Sequence, residues 1–336
     1  MHPSLPAPYT ARPATLEDAK AAADLFNACS MEDLSGDQFQ AGTTAAEWQF
    51  PGFELARDTQ VVLSETCSLV AYSEVWDSQP HVWAVGWGCV HPAHRGQGLG
   101  TYLLGWADQR ATAAIALAPP DARVVITQST QDSNSGAKEL LAANGYAPIR
   151  YFNRMLADLD TPPPAPVWPE GITVHPFNRD ADLEAVLRAD QESFADHWGN
   201  IAHPLEEDMA LWAHWIDNDP KFDPTLWFLA MDGDETAGIC LCRAVCQEDP
   251  DMGWVNTLGV RRAWRRRGLG LALLRHAFGE LYRRGRKRVG LGVDADNLTG
   301  AMRLYEKVGM RVQYRRCTFE KELRPGRELR TESLDA

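Results

Sequence analysis

Arg265-Arg266-Arg267-Gly268-Leu269-Gly270 repeats, 170 residues later, the stretch Arg95-Gly96-Gln97-Gly98-Leu99-Gly100. A second set of matches, Gly300-Ala301 and Val308-Gly309-Met310 against Gly136-Ala137 and Asn144-Gly145-Tyr146, lies at an offset of 164. The six-residue difference is taken up by a longer Ala/Pro-rich connector at 115–121 in the first half. Between the copies, Thr161-Pro162-Pro163-Pro164-Ala165-Pro166 reads as an extended, semi-rigid linker. One domain pattern is thus present twice, which agrees with a length of 336 residues at ~150 residues per domain.

The elements around each loop follow the same order. An extended stretch (9–13; 172–177) precedes an apolar-periodic helix (16–29; 181–194). Strands are expected at 60–64, 68–76 and 82–90 in the first half, and at 226–231, 236–245 and 252–260 in the second. Asp232-Gly233-Asp234-Glu235 supplies a hairpin turn. After each glycine-rich loop come a helix (100–111; 270–284), a strand (123–128; 289–293), a further helix and a last strand.

A composition of 45% hydrophobic and 24% charged residues excludes a disordered or collagen-like chain. No apolar run approaches the ~20 residues a bilayer requires, and the first residues lack a charged segment followed by an apolar one, so a cytoplasmic protein with no membrane partner is expected. The seven cysteines, at 29, 67, 89, 240, 242, 246 and 317, form no Cys-x-x-Cys pair, so they are read as reduced and no metal is implied. Cys240, Cys242 and Cys246 share parity in a strand and read as small buried side chains. The net charge of −13 disfavours nucleic acid as a partner. Its distribution is uneven: residues 180–251 are acidic, whereas 261–288 are rich in arginine. The acidic stretch would suit a cationic ligand and the basic one an anion.

Gly268 and Gly270 let backbone N–H groups turn inward, and the following helix adds its unpaired first-turn donors and dipole, so the loop is an anion cradle. It is neither a Walker loop nor a full Rossmann fingerprint. With Asp296-Asn297 and Leu304-Tyr305-Glu306-Lys307-Val308-Gly309-Met310 following at the expected places, the pattern resembles a GCN5-related N-acetyltransferase (GNAT) over both halves. The tandem plan further resembles the acetyltransferases that act on the cysteinyl amine of a cysteine, glucosamine and inositol conjugate.

That resemblance implies an α/β (α+β) fold of two tandem GNAT-like domains, each with a mixed, mainly antiparallel sheet flanked by helices. The expected division is 1–158 for a non-catalytic first domain, 159–169 for the linker, 170–325 for the catalytic domain and 326–336 for a flexible tail. Acetyl-CoA is the implied acyl donor, its pantetheine arm against Leu258, Gly259 and Val260 and its pyrophosphate on Arg265, Arg266, Arg267, Gly268, Leu269 and Gly270, with Asn297 nearby. Cys89, Val90, Arg95, Gly96, Gln97, Gly98 and Gly100 are the first-half counterparts.

Acyl transfer to an amine needs a neutral amine, a stabilised oxyanion and a proton for the departing thiolate. In the family that proton comes from a tyrosine, and Tyr305 occupies its place. An ungapped alignment puts Leu141 opposite Tyr305 and Ser133 opposite Asn297, and leucine donates no proton. The second half is therefore expected to be catalytic. The proton acceptor is sought in Asp196 and Glu192, and the substrate wall in Asp190, His197 and Trp198, all following the first helix of that half. Trp212, Trp215, Trp254 and Trp264 are further candidates for the wall or the core. The expected function is transfer of an acetyl group to a primary amine of a small cationic molecule, with oligomeric state left open. The alternative is a non-catalytic acyl-CoA sensor or scaffold.

Overall fold

The computed structural model describes residues 3–33, 39–202, 204–219, 221–246, 249, 251–296 and 300–332. The chain forms two compact units, 1–151 with 315–329, and 152–314 with 330–336. In order, the elements are β1 (Thr10–Arg12), α1 (Ala19–Asp33), α2 (Ala41–Glu47), α3 (Leu55–Asp58), β2 (Thr59–Leu63), β3 (Leu69–Asp77), β4 (Trp83–Val90), α4 (Leu99–Ala114), β5 (Val124–Gln131), α5 (Ser135–Ala143) and β6 (Ala147–Asp158). They continue with β7 (Ile172–Pro176), α6 (Arg179–Phe194), α7 (Leu205–Asn218), β8 (Trp227–Asp232), β9 (Glu235–Arg243), β10 (Met252–Val260), α8 (Leu269–Arg283), β11 (Arg288–Asp294), α9 (Ala301–Glu306) and β12 (Arg311–Arg324).

The first unit orders its strands β1-β2-β3-β4-β5-β12, and only β4–β5 is parallel. The second orders them β7-β8-β9-β10-β11-β6, and only β10–β11 is parallel. The mixed, mainly antiparallel sheets expected from the repeat are present in both. Each crossover between parallel strands is a helix, α4 or α8, as a parallel connection requires. Apolar residues spaced along α8 bury Leu269, Ala272, Leu273, Leu274, Ala277, Phe278 and Leu281 against the sheet. Gly285, at φ +77°, then stops the helix in the left-handed region.

The units do not coincide with the sequence halves. Residues 152–158 of β6, from the first half, pair with β11, and residues 316–324 of β12, from the second half, pair with β5. Met155, Ala157 and Leu159 pack in the cluster that holds Leu273, Phe278 and Leu291. Cys317 and Phe319 pack with Leu104, Ile126 and Leu141. The division expected at 158 is thus shifted to 151, because two strands of 12 and 14 residues outrun the unit in which they begin. The linker begins anchored, with the Leu159 N–H donating to Lys287 O at 2.8 Å.

The tail expected to be flexible is fixed as far as 332. Arg327 N–H donates to Asp121 O at 2.7 Å and its carbonyl accepts from Arg123 N–H at 2.9 Å, while Glu328 takes the Arg123 guanidinium at 3.0 Å. Residues 333–336 lie outside the described ones. The three cysteines read as buried are so, and Cys240 Sγ lies 3.7 Å from Cys242 Sγ. Among the described residues no helix is long and apolar enough to cross a membrane.

A fragment of residues 1–169 lacks β12 and leaves the β5 edge and the face under Phe319 uncovered, a loss of about 2–3 kcal/mol for that ring alone. It is expected to aggregate or to melt without cooperativity by circular dichroism, and to become soluble on co-expression with 170–336. A cooperative melt of the fragment alone would count against the strand exchange.

Candidate active site

β10 runs beside β11 only from Met252 to Val255, opposite Arg288 to Leu291. Past that point β10 stays with β9 as far as Val260, with an irregularity between Val255 and Thr257, so the two parallel strands part. The slot this opens is bordered by Leu258, Gly259 and Val260, the residues expected to lie along the cofactor arm. β4 leaves β5 in the same way after Gly86, opposite Gln128, and continues through Cys89 and Val90.

Beyond Val260 the chain turns into α8 at Gly268, φ +85°, and no side chain caps the helix. The first amide to close the helix is Ala272 N–H, on Gly268 O at 3.1 Å, so the N–H groups of Leu269, Gly270 and Leu271 are left for an external acceptor. A Cβ on Gly268 would meet nothing within 4 Å. Arg266 and Arg267 are exposed and carry no ion pair among the described residues. An open, basic, uncapped helix start fits a pyrophosphate. The first-unit loop has the same backbone, with Gly96 at φ +75° where Arg266 takes φ +63°. It is less open: the Tyr9 hydroxyl donates to Gln97 Oε1 at 2.6 Å, and a Cβ on Gly98 would meet Pro6 at 3.2 Å. A Cβ on Gly100 would press on Leu140.

Arg265, expected at the pyrophosphate, is turned inward. Its Nε donates to Val260 O at 3.0 Å, its Nη2 to Ser193 O at 3.0 Å and its Nη1 to Asp196 at 3.1 Å. Arg95 does the same, to Val90 O at 3.2 Å and to both carboxylate oxygens of Asp33 at 3.1 and 2.9 Å. The arginine that opens each loop therefore ties it to the end of the first helix of its unit. Ser-x-x-Asp at 30–33 and at 193–196 is the matching signal, present in both copies of the sequence.

Asp196, sought as a base, is the other half of that tie. It also pairs with Arg262, and the two guanidiniums hold its carboxyl below the usual carboxylate range. Glu192 accepts from Arg261 Nε at 2.6 Å. Both carboxylates are thus engaged by arginines, which suits anchoring better than proton uptake. Arg284 with Asp223 and Arg288 with Asp249 add further pairs, so much of the basic stretch neutralises the acidic one within the unit.

Asp190 differs. It lies half-buried on the inner face of α6, and burial together with the nearby Asp208 pushes its carboxyl up to about 6. Gln191 Nε2 donates to Asp208 at 2.7 Å. Ser193, one turn on, is buried, its hydroxyl has no hydrogen-bond partner among the described residues, and that oxygen lies 2.9 Å from where a Cβ on Gly259 would stand. His197 packs edge-on against Phe194 at 4.6 Å between ring centroids, and burial and Arg265 lower its basicity. Trp198 stands 6.4 Å from Phe152. Trp212 and Trp215 pack on Trp227, Trp264 donates to Asp232 at 2.8 Å, and Trp254 lies under Arg154, so these four belong to the core rather than to the wall.

Tyr305, on α9, is buried in the cluster that holds Cys240, Leu258 and Val260. Burial, with a smaller contribution from Cys240, pushes the phenol up to about 12. Among the described residues nothing hydrogen-bonds its hydroxyl. Met310 N–H bonds Tyr305 O at 3.1 Å as Tyr146 N–H bonds Leu141 O at 3.1 Å, which fixes Leu141 as the counterpart. Asn297 lies outside the described residues.

The Acetyltransferase (GNAT) family profile matches residues 23–146 and 183–310. The mycothiol acetyltransferase of Streptomyces scabiei is 32% identical over 268 residues, covering 78% of each chain. That of Thermobispora bispora is 34% identical over 235 residues, covering 68% of this chain and 74% of its own. Among solved structures, a GCN5-related N-acetyltransferase from Sphaerobacter thermophilus covers 98% of this chain and all of its own, with TM-score 0.81 and 37% identity. A tandem GNAT protein from the clavulanic acid biosynthesis pathway shares the fold, with TM-score 0.71 at 15% identity, over 95% of this chain and all of its own.

Asp196→Asn removes charge from the tie but no proton acceptor. The expected result is a KM for acetyl-CoA raised about fivefold, the order of one charge-assisted hydrogen bond at a partly exposed site, with the acidic limb of the pH–rate profile unmoved. Loss of that limb would restore Asp196 as a base.

Proposed function

Because this chain belongs to the GNAT family of acetyltransferases, we propose that its second unit transfers the acetyl group of acetyl-CoA to the primary amine of a small cationic molecule, with Tyr305 as general acid and Asp190 as proton acceptor. The chain is an acyltransferase, and acetyl-CoA is its donor. The observation that carries the finer reading is Tyr305 itself: a buried side chain whose hydroxyl is unpartnered among the described residues and whose pKa is raised, in one unit, with leucine in its place in the other. Bound acetyl-CoA supplies a thioester carbonyl for attack and a thiolate that leaves.

The cradle of Leu269, Gly270 and Leu271 amides with Arg266 and Arg267 would hold the pyrophosphate, and Leu258 to Val260 would flank the arm. A phenol raised to about 12 keeps its proton at neutral pH and can give it to the leaving sulfur. Asp190 at about 6 is ionised at neutral pH, so it can attract an ammonium and take its proton, directly or through water. The sign follows: Asp190 works when deprotonated, so the rate falls as pH drops through about 6. Relatives bearing the name mycothiol acetyltransferase make the amine of the cysteine, glucosamine and inositol conjugate one acceptor to test, beside polyamines, amino sugars and aminoglycosides.

The test follows coenzyme A release chromatographically across that panel. Tyr305→Phe is expected to lower kcat about 10²-fold or more with little change in the acetyl-CoA KM. Asp190→Asn should remove the acidic limb and lower kcat by a similar factor. An unaltered kcat in Tyr305→Phe would overturn its role as acid.

A further inference from the structure

The loop after α6 stands over the slot. Ser193 rests on Gly259 of β10, and His197 lies within electrostatic reach of Asp294, at the end of β11, and of Arg265, at the start of the anion loop. On the reading above, residues 195–200 are the wall that an incoming amine meets. Short turns close this loop internally, His197 N–H on Phe194 O at 2.9 Å and Asn200 N–H on His197 O at 3.1 Å. Gly199, at φ +79°, sits in a left-handed conformation that favours glycine.

The end of the chain returns to this loop. Gly199 N–H donates to Thr331 O at 2.8 Å, and Thr331 N–H donates to Asn200 O at 2.8 Å. The Thr331 hydroxyl reaches Ala195 O at 3.4 Å. Arg330 is 7% exposed, and its guanidinium lies 5.8 Å from the centre of the Trp198 ring. Two reciprocal backbone bonds, a hydroxyl contact and a buried cation on an aromatic face make a clasp rather than a passing contact. All of these residues belong to the second unit.

We propose that Arg330 and Thr331 are positioning residues for amine transfer: the C-terminal segment straps the His197–Trp198 loop into place and so sets how the acceptor is received. The inference rests on the assignment of the acceptor to this side of the slot. Among the described residues the strap bonds Ala195, Gly199 and Asn200 and neither Tyr305 nor residues 265–270, and it reaches the anion loop only through Asp196, so its loss should act on the amine more than on acetyl-CoA. A cation is needed over Trp198, whereas the pairing at 331 needs only a backbone N–H.

The experiment uses the full chain, a chain ending at Leu329, Arg330→Ala, Arg330→Lys and Thr331→Pro, the last of which removes the N–H given to Asn200. Hydrogen exchange of the 194–201 peptide is measured first, then KM for acetyl-CoA and for each of spermidine, glucosamine and the cysteine, glucosamine and inositol conjugate. Expected are at least tenfold faster exchange at 194–201 and an amine KM raised about tenfold in the truncated chain, Arg330→Ala and Thr331→Pro. The acetyl-CoA KM should rise no more than the roughly fivefold expected from loss of the Asp196 tie, and Arg330→Lys should recover most of the effect. Unchanged exchange in the truncated chain overturns the strap outright. Faster exchange with both KM values rising by the same factor makes the contact merely structural and overturns the positioning role. If wild type shows no amine-dependent release, the acceptor reading fails, and the exchange measurement alone still decides whether the segment holds the loop.

Discussion

A strand that parts from one neighbour in the middle of a sheet stays in place only if its other edge remains paired, because buried N–H and C=O groups left unpaired cost as much as lost hydrogen bonds. Both units meet this constraint at the same place. β11 stops pairing with β10 after Leu291 but is paired with β6 along its whole length, so Gly292, Val293 and Asp294 still stand opposite Arg154, Asn153 and Phe152. β5 parts from β4 after Gln128 and is likewise paired with β12 throughout, Ser129, Thr130 and Gln131 standing opposite Thr318, Cys317 and Arg316. The slot can stay open because its outer strand is held on the far side. In each unit the strand that does so is supplied by the other half of the sequence.

The inner border of the slot depends on a second device. A loop that presents free amides to an anion gains nothing from its own backbone bonding, so it must be fixed from behind. Arg265 and Arg95 do this by taking the last carbonyl of the preceding strand and a carboxylate at the end of the first helix. The tie couples two walls, since Asp196 also begins the loop that carries His197 and Trp198. On the proposed reading, an acetyl donor and an amine at opposite sides of the slot would share one anchoring arginine, and small errors in its placement would be felt at both.

The repeat, the glycine loops, the order of elements and the Tyr305–Leu141 contrast were legible because they are local in sequence. α7 was legible too and went unread: Leu205, Met209, Trp212 and Ile216 follow a helical spacing, with Glu206, Glu207 and Asp208 in the first turn. The strand exchange was not, because alternation of side chains says which face of a strand is buried and nothing about which neighbour it pairs with. The same holds for Asp196, Glu192 and Asp190. Their one-dimensional contexts are alike, and only folding places Arg262, Arg265 and Arg261 against the first two and leaves the third facing Asp208.

The exchange also explains why a unit without the acid persists in the chain. On the proposed reading turnover needs Tyr305, and leucine at 141 cannot replace a phenol. The first unit shows further divergence on the corresponding side of its sheet. Tyr72, Trp48, Phe26 and Trp87 pack there, and the Glu74 carboxyl, accepting from the Tyr72 hydroxyl at 2.6 Å and from Trp76 Nε1 at 2.9 Å, is raised by burial. Yet deleting the first half would remove residues 152–158, and with them the strand that β11 relies on once it has left β10. The sheet of the second unit is incomplete without the first half whether or not that half ever binds a ligand, so physical necessity in the second unit is sufficient to retain the first.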